Sequence, residues 1–178
     1  IGLTLVVMMG IFSVISATMS SKFIVDEYRG KKAILLFSYP ISRKKIMETK
    51  ILLVFLFTFG SMLISGAIVL AVFMITESLV PIGNDIASLG LMLTSIIYLV
   101  CYALIAAFCG IASSWIGFRK QSVIATIVAS CIIMVTMCQI VAMTFFSGVA
   151  MILLLAGMGI ITFLAVESML SQARKMEI

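Results

Sequence analysis

Five long apolar runs, with charge confined to the stretches between and after them, constrain this chain more than any other feature of its sequence. A helix needs about 20 apolar residues to cross a hydrocarbon core ~30 Å thick. The runs are Ile1 to about Thr18, Ile51 to Thr76, Ser88 to Phe118, Gln121 to Thr144 and Gly148 to Val166. An isolated strand in lipid would leave its backbone groups unpaired, and a barrel would need short alternating segments rather than continuous runs. The expected fold class is therefore all-α: a polytopic helical membrane protein with five visible transmembrane helices in a single transmembrane domain, 1–178. The third run is long enough to require a tilt, a kink or an extra interfacial turn. Composition agrees, with 63% hydrophobic and 11% charged residues in 178; a soluble domain carries about twice that share of charge.

The charges give direction. Of the twelve Lys and Arg, eight fall in 19–50, two are Arg119 and Lys120, and two are Arg174 and Lys175. The stretches 77–87 and 145–147 have none. Alternate loops are thus basic, which is the positive-inside pattern. Loops 19–50, 119–121 and 168–178 are expected in the cytoplasm, with 77–87 and 145–147 outside. Trp115, one turn before Arg119, fits an interfacial anchor. This topology puts residue 1 outside, so at least one earlier span, about six in total, is expected in an N-terminally truncated sequence. The net charge of +5 reads as topology and lipid contact rather than nucleic-acid binding.

Catalytic chemistry is hard to place. The chain has no histidine, so no Ser–His pair can form, and every lysine sits in a loop or at a membrane boundary. No GxxxxGK[ST] phosphate loop occurs. The expectation is a chain that is not itself an enzyme and binds no cofactor or metal. The second to fifth spans carry no charged residue at depth, which speaks against an ion-coupled carrier. Gln139 is the strongest polar group in a span, read as an interhelical hydrogen bond or a weaker substrate-path contact. Cys101, Cys109, Cys131 and Cys138 read as buried thiols packing as small hydrophobes. Ala106, Gly110 and Ser114 at i, i+4, i+8, with Ser113 and Gly117, read as a stripe for close helix approach.

The segment 19–50 is the most specific. Ser20 or Ser21 is placed to cap a short helix that Lys22–Asp26 and Glu27–Lys31 pairs would support and Gly30 would end. Ile34, Leu35, Leu36 and Phe37 form an apolar element too short to span, which must bury against headgroups or protein. Pro40 breaks it. Ser42 then caps a helix running through Arg43, Lys44 and Lys45 into the next span.

Glu27-Tyr-Arg-Gly30, Leu35-Leu-Phe-Ser-Tyr-Pro40, Ser42-Arg43 and Lys50 at the mouth of a span look like the ABC-2 type transporter permease family, the membrane subunits of bacterial ABC exporters of antimicrobial or toxin peptides or drugs. The resemblance implies a permease subunit in the bacterial plasma membrane. Its implied partners are an ABC nucleotide-binding ATPase that holds ATP and Mg, a homodimer mate or related second permease, and membrane lipid. It implies that Ser21, Asp26, Glu27, Tyr28, Arg29 and Gly30 couple to the ATPase, and that Phe37, Pro40, Ser42 and Arg43 form an interfacial part of the coupling segment. The cargo class is an apolar or amphipathic peptide, drug or lipid. The competing readings are a non-transporting assembly or sensor subunit, a secondary carrier, and an intramembrane enzyme.

Overall fold

The computed structural model describes residues 2–26, 43–79, 89–144 and 148–175. They form α1 (Gly2–Ser20), a π turn (Ser21–Val25), α2 (Arg43–Leu79), α3 (Leu89–Lys120), α4 (Val123–Thr144) and α5 (Gly148–Lys175). The described residues contain no strand. Five helical stretches are long and apolar enough to cross a membrane: Gly2–Val25, Lys45–Thr76, Met92–Lys120, Val123–Met143 and Gly148–Gln172. The protein is therefore a multi-pass, all-helical membrane protein.

α3 is the axis of the bundle. It touches every other helix, and those four close a ring around it in the order α1, α2, α5, α4 and back to α1. Small side chains make this possible. Ala103, Ala106, Ala107, Ser113 and Ser114 are all fully buried, and they keep α3 thin enough for neighbours to approach on every side. A Cβ built on Gly110 would land on the Ser16 hydroxyl of α1, and one on Gly117 would lie 2.7 Å from Thr126 Cβ of α4. The stripe read from the sequence is thus a packing surface. Enclosure is incomplete at the start of α3, where Leu93, Ile96 and Ile97 are exposed.

Each outer helix buries one stripe. On α2 it is Met47, Ile51, Val54, Thr58 and Met62, while Leu52, Leu53, Leu56 and Phe57 point outward. The spacing, i, i+4, i+7, i+11, i+15, is one helical face. On α1 the buried side is Met9, Ser13, Ser16, Ala17 and Ser20, with Val7, Ile11 and Ile15 outside. Since lipid is as apolar as a protein core, small and hydroxyl-bearing residues rather than the largest hydrophobes mark the protein-facing side.

The α3–α4 connection shows how two residues reverse the chain. Ser122 N–H donates to Gly117 O at 3.1 Å and Gln121 N–H to Phe118 O at 3.2 Å, the paired bonds of a Schellman ending. Gln121 takes the left-handed position at φ 48°, where glycine is usual. Ser122 then caps α4, its Oγ accepting from Ala125 N–H at 3.4 Å.

Three expectations are corrected. Ser20 and Ser21 cap no new helix: Ser20 has helical φ and ψ and makes no cap bond. Its Oγ donates back to Ala17 O at 3.0 Å, and Ser21 Oγ donates to Thr18 O at 2.8 Å. The first span therefore runs unbroken into the segment beyond it. The tail begins as helix rather than loop, because Met169 and Leu170 pack into the bundle and α5 continues to Lys175. Cys131 is exposed, unlike buried Cys109. The helix expected through Arg43, Lys44 and Lys45 into the second span is present as the start of α2.

Candidate functional site

The α1 C-terminus, the α2 N-terminus, the α3 C-terminus, the α4 N-terminus and the α5 C-terminus meet at one end of the bundle. Lys22, Lys45, Lys50, Arg119 and Lys120 lie within these ends, so the basic residues gather where the loop pattern placed them. The candidate site is the buried joint beneath them.

Its centre is the π turn. Asp26 N–H donates to Ser21 O at 2.9 Å, an i to i−5 bond that packs one extra residue into the turn. The wider turn places Ser21, Ile24 and Val25 inside, each at 2% exposure or less. Ile24 and Val25 pack with Met47 and Ile51 of α2, Ile111 and Phe118 of α3, and Met169 of α5. Phe55, Trp115 and Val123 close the edges. α2, α3, α4 and α5 all contribute to this cluster, and the π turn joins it to α1. A displacement of the chain just after Val25 is therefore transmitted by close-packed side chains to all of them.

The rim differs in character. Lys22 is exposed and Phe23 is 42% exposed, both on the side of the π turn facing away from the bundle. Asp26 is half-buried at its end. Trp115 is half-buried, and the Arg119 guanidinium carbon lies 6.0 Å from its ring centroid, a cation–π contact at the boundary. The anchor role read from the sequence thus acquires a partner one turn away.

Of the coupling residues expected from sequence, Ser21 and Asp26 fall on the π turn and its end, and the backbone of Arg43 begins α2. Ser21 is buried, so its surface is spent on α1 and its neighbours rather than offered outward. Glu27, Tyr28, Arg29, Gly30, Phe37, Pro40 and Ser42 lie outside the described residues. Gln139 lies on the outward, exposed side of α4, and no hydrogen bond joins its amide to a described residue. The interhelical bond expected for it is not made within the described residues. Sequence reasoning missed the buried stripe Ser13, Ser16, Ala17 and Ser20 on α1, whose spacing of i, i+3, i+4, i+7 is the available signal.

No family model matches the chain, and no solved structure matches it. It is similar to the protein named Uncharacterized protein YcbO of Bacillus subtilis (strain 168), with 28% identity over 123 residues. That match covers 69% of this chain and 54% of the relative, so the chain spans about half the length of the curated relative it matches.

Proposed function

We propose that this chain is the membrane-spanning permease subunit of an ATP-driven exporter of the ABC-2 type. Its basic end faces the cytoplasm of a bacterial plasma membrane, and a separate nucleotide-binding ATPase grips the segment that follows α1. What supports the reading is one observation: the first span passes without a break into a buried π turn that packs on α2, α3 and α4. A motor pulling on the chain beyond Val25 would act on a stiff, anchored π turn, and stiffness is what rigid-body switching of packed helices requires. The division of labour follows burial. Ser21, Ile24 and Val25 hold the lever in the bundle. Lys22, Phe23 and Asp26 present the docking surface, to which the family resemblance adds Glu27 to Gly30.

ATP and Mg would be held by the partner, whose closure would tilt the lever and switch the spans between inward- and outward-open arrangements. The cargo would be apolar or amphipathic, in keeping with spans lined by Met, Phe and aliphatic residues and free of charge at depth. The test is purification of the full-length protein from its own membrane. An ATPase with a phosphate-binding loop should copurify, and amphipathic peptides should stimulate its activity. Recovery without any ATPase, or transport driven by an ion gradient with ATP depleted, would overturn the proposal.

A further inference from the structure

We infer that Cys109, Cys138 and Met134 form a binding site for one Cu(I) ion where α1, α3 and α4 meet. Gly10 of α1 supplies the space. A Cβ built there would lie 3.6 Å from Cys138 Sγ and 3.4 Å from Met134 Cγ, and it would collide with the Met134 methyl. These two α4 side chains, one turn apart, therefore face the same point on α1. Cys109 of α3 is fully buried and lies within electrostatic reach of Cys138. Ser13, one turn from Gly10 on α1, stands beside the Cys109 thiol. Three sulfur donors from two helices thus gather over a residue that has no side chain. Cys109 and Cys138 are far apart in sequence and meet only because α4 folds back along α3.

An independent observation points to a ligand at this place. Ser13 Oγ is buried and has no hydrogen-bond partner among the described residues. The hydroxyls of Ser113, Ser114 and Ser130, also buried, each donate to a carbonyl of their own helix at 2.7 Å. A buried hydroxyl left unpaired is costly, and an ion at the neighbouring thiols takes up its lone pair. The donor set selects the ion. Thiol and thioether sulfurs are soft ligands and favour Cu(I). Zinc takes four donors from Cys, His and acids, and the described residues contain no cluster of three such side chains. Charge agrees. Cys109 and Cys138 lie in the spans Met92–Lys120 and Val123–Met143, where an uncompensated charge is expensive. When Cu(I) binds, one S–H bond breaks, its proton leaves to water and a Cu–S bond forms, so the site stays neutral. The second thiol and the thioether donate lone pairs and lose nothing. A divalent ion on the same donors would have to expel both thiol protons.

The inference goes beyond the proposed function and stands or falls without an ATPase. In the experiment, full-length protein purified under reducing conditions is titrated with Cu(I) against the chelator bathocuproine disulfonate. One tightly held Cu(I) per chain is expected. Cys109→Ala or Cys138→Ala should weaken it at least ~100-fold, and Met134→Leu roughly 10-fold. Gly10→Ala removes no donor but pushes the flexible Met134 aside, and should match Met134→Leu. Cys101→Ala and Cys131→Ala should leave the affinity unchanged. Ag(I), which shares the preference for sulfur, should raise the unfolding midpoint of the native protein and not that of the Cys109→Ala, Cys138→Ala double variant. Metal-free melting curves report whether each variant is folded. Cu(I) held equally well by the folded thiol variants, Cu(I) lost only when Cys101 or Cys131 is replaced, or no tight binding by the folded native protein overturns the inference.

Discussion

At the scale of single residues, α1 and α3 approach most tightly where Ser16 lies over Gly110. The Ser16 Oγ is buried and without a hydrogen-bond partner among the described residues, and a Cβ on Gly110 would occupy its place. The pair is therefore a steric fit, α1 and α3 meeting where one of them has no side chain. Gly110→Ala should cost about 1–3 kcal/mol by overpacking, read as a lower unfolding midpoint in detergent. Adding Ser16→Gly moves the missing side chain to the other helix and should recover stability to within about 1 kcal/mol of the native chain. Two additive losses would mean that the helices do not touch at this point.

At the scale of elements, the π turn separates two roles that sit on neighbouring residues. Ile24 is 1% exposed and packs into the joint, while Phe23 is 42% exposed beside it. Ile24→Ala should destabilise the chain by roughly 2 kcal/mol, the low end for a buried aliphatic because lipid is a mild alternative to the core. Phe23→Ala should leave the melting curve in place and, on the proposed function, reduce the amount of ATPase recovered with the purified complex. Matching losses of stability from both substitutions would contradict the assignment of an inner and an outer side to the turn.

The elements themselves were largely legible. Length and continuous hydropathy located all five spans, and Arg43 to Lys45 were recognised as an entry into α2. The end of the first span was not. Ser20 and Ser21 carry cap chemistry, and the same hydroxyls also bond back to carbonyls three residues earlier inside a helix. Only packing against α2, α3 and α4 decides between the two. The buried faces were half legible. The Ala106–Gly110–Ser114 stripe stands out because it is small, whereas Met47, Met62 and Met169 resemble the Leu and Ile on the lipid side. Gln139 was visible as a polar outlier, but the direction it faces depends on how α4 sits against α1 and α3.

For the whole molecule, the ring of four helices about α3 makes the basic end a single mechanical unit, because α2, α3, α4 and α5 contribute to the joint around Ile24 and Val25 and the π turn joins it to α1. A handle two residues beyond Val25 has leverage on the entire bundle, and Glu27 occupies that position in the sequence. If a motor holds the chain there, reversing the Glu27 charge should act on coupling and leave the bundle intact. Glu27→Lys is expected to lower transport at least ~10-fold and weaken ATPase recovery, the scale on which truncating one member of a buried charge pair acts. The unfolding midpoint of the isolated chain should stay where it is, the outcome that separates a role in coupling from one in holding the bundle together. Glu27→Gln separates charge from size, and an intermediate loss with it would identify an ion pair with the motor. Unchanged transport and unchanged ATPase recovery in Glu27→Lys would remove this residue from the coupling path and leave the handle, if there is one, to the rest of 26–30.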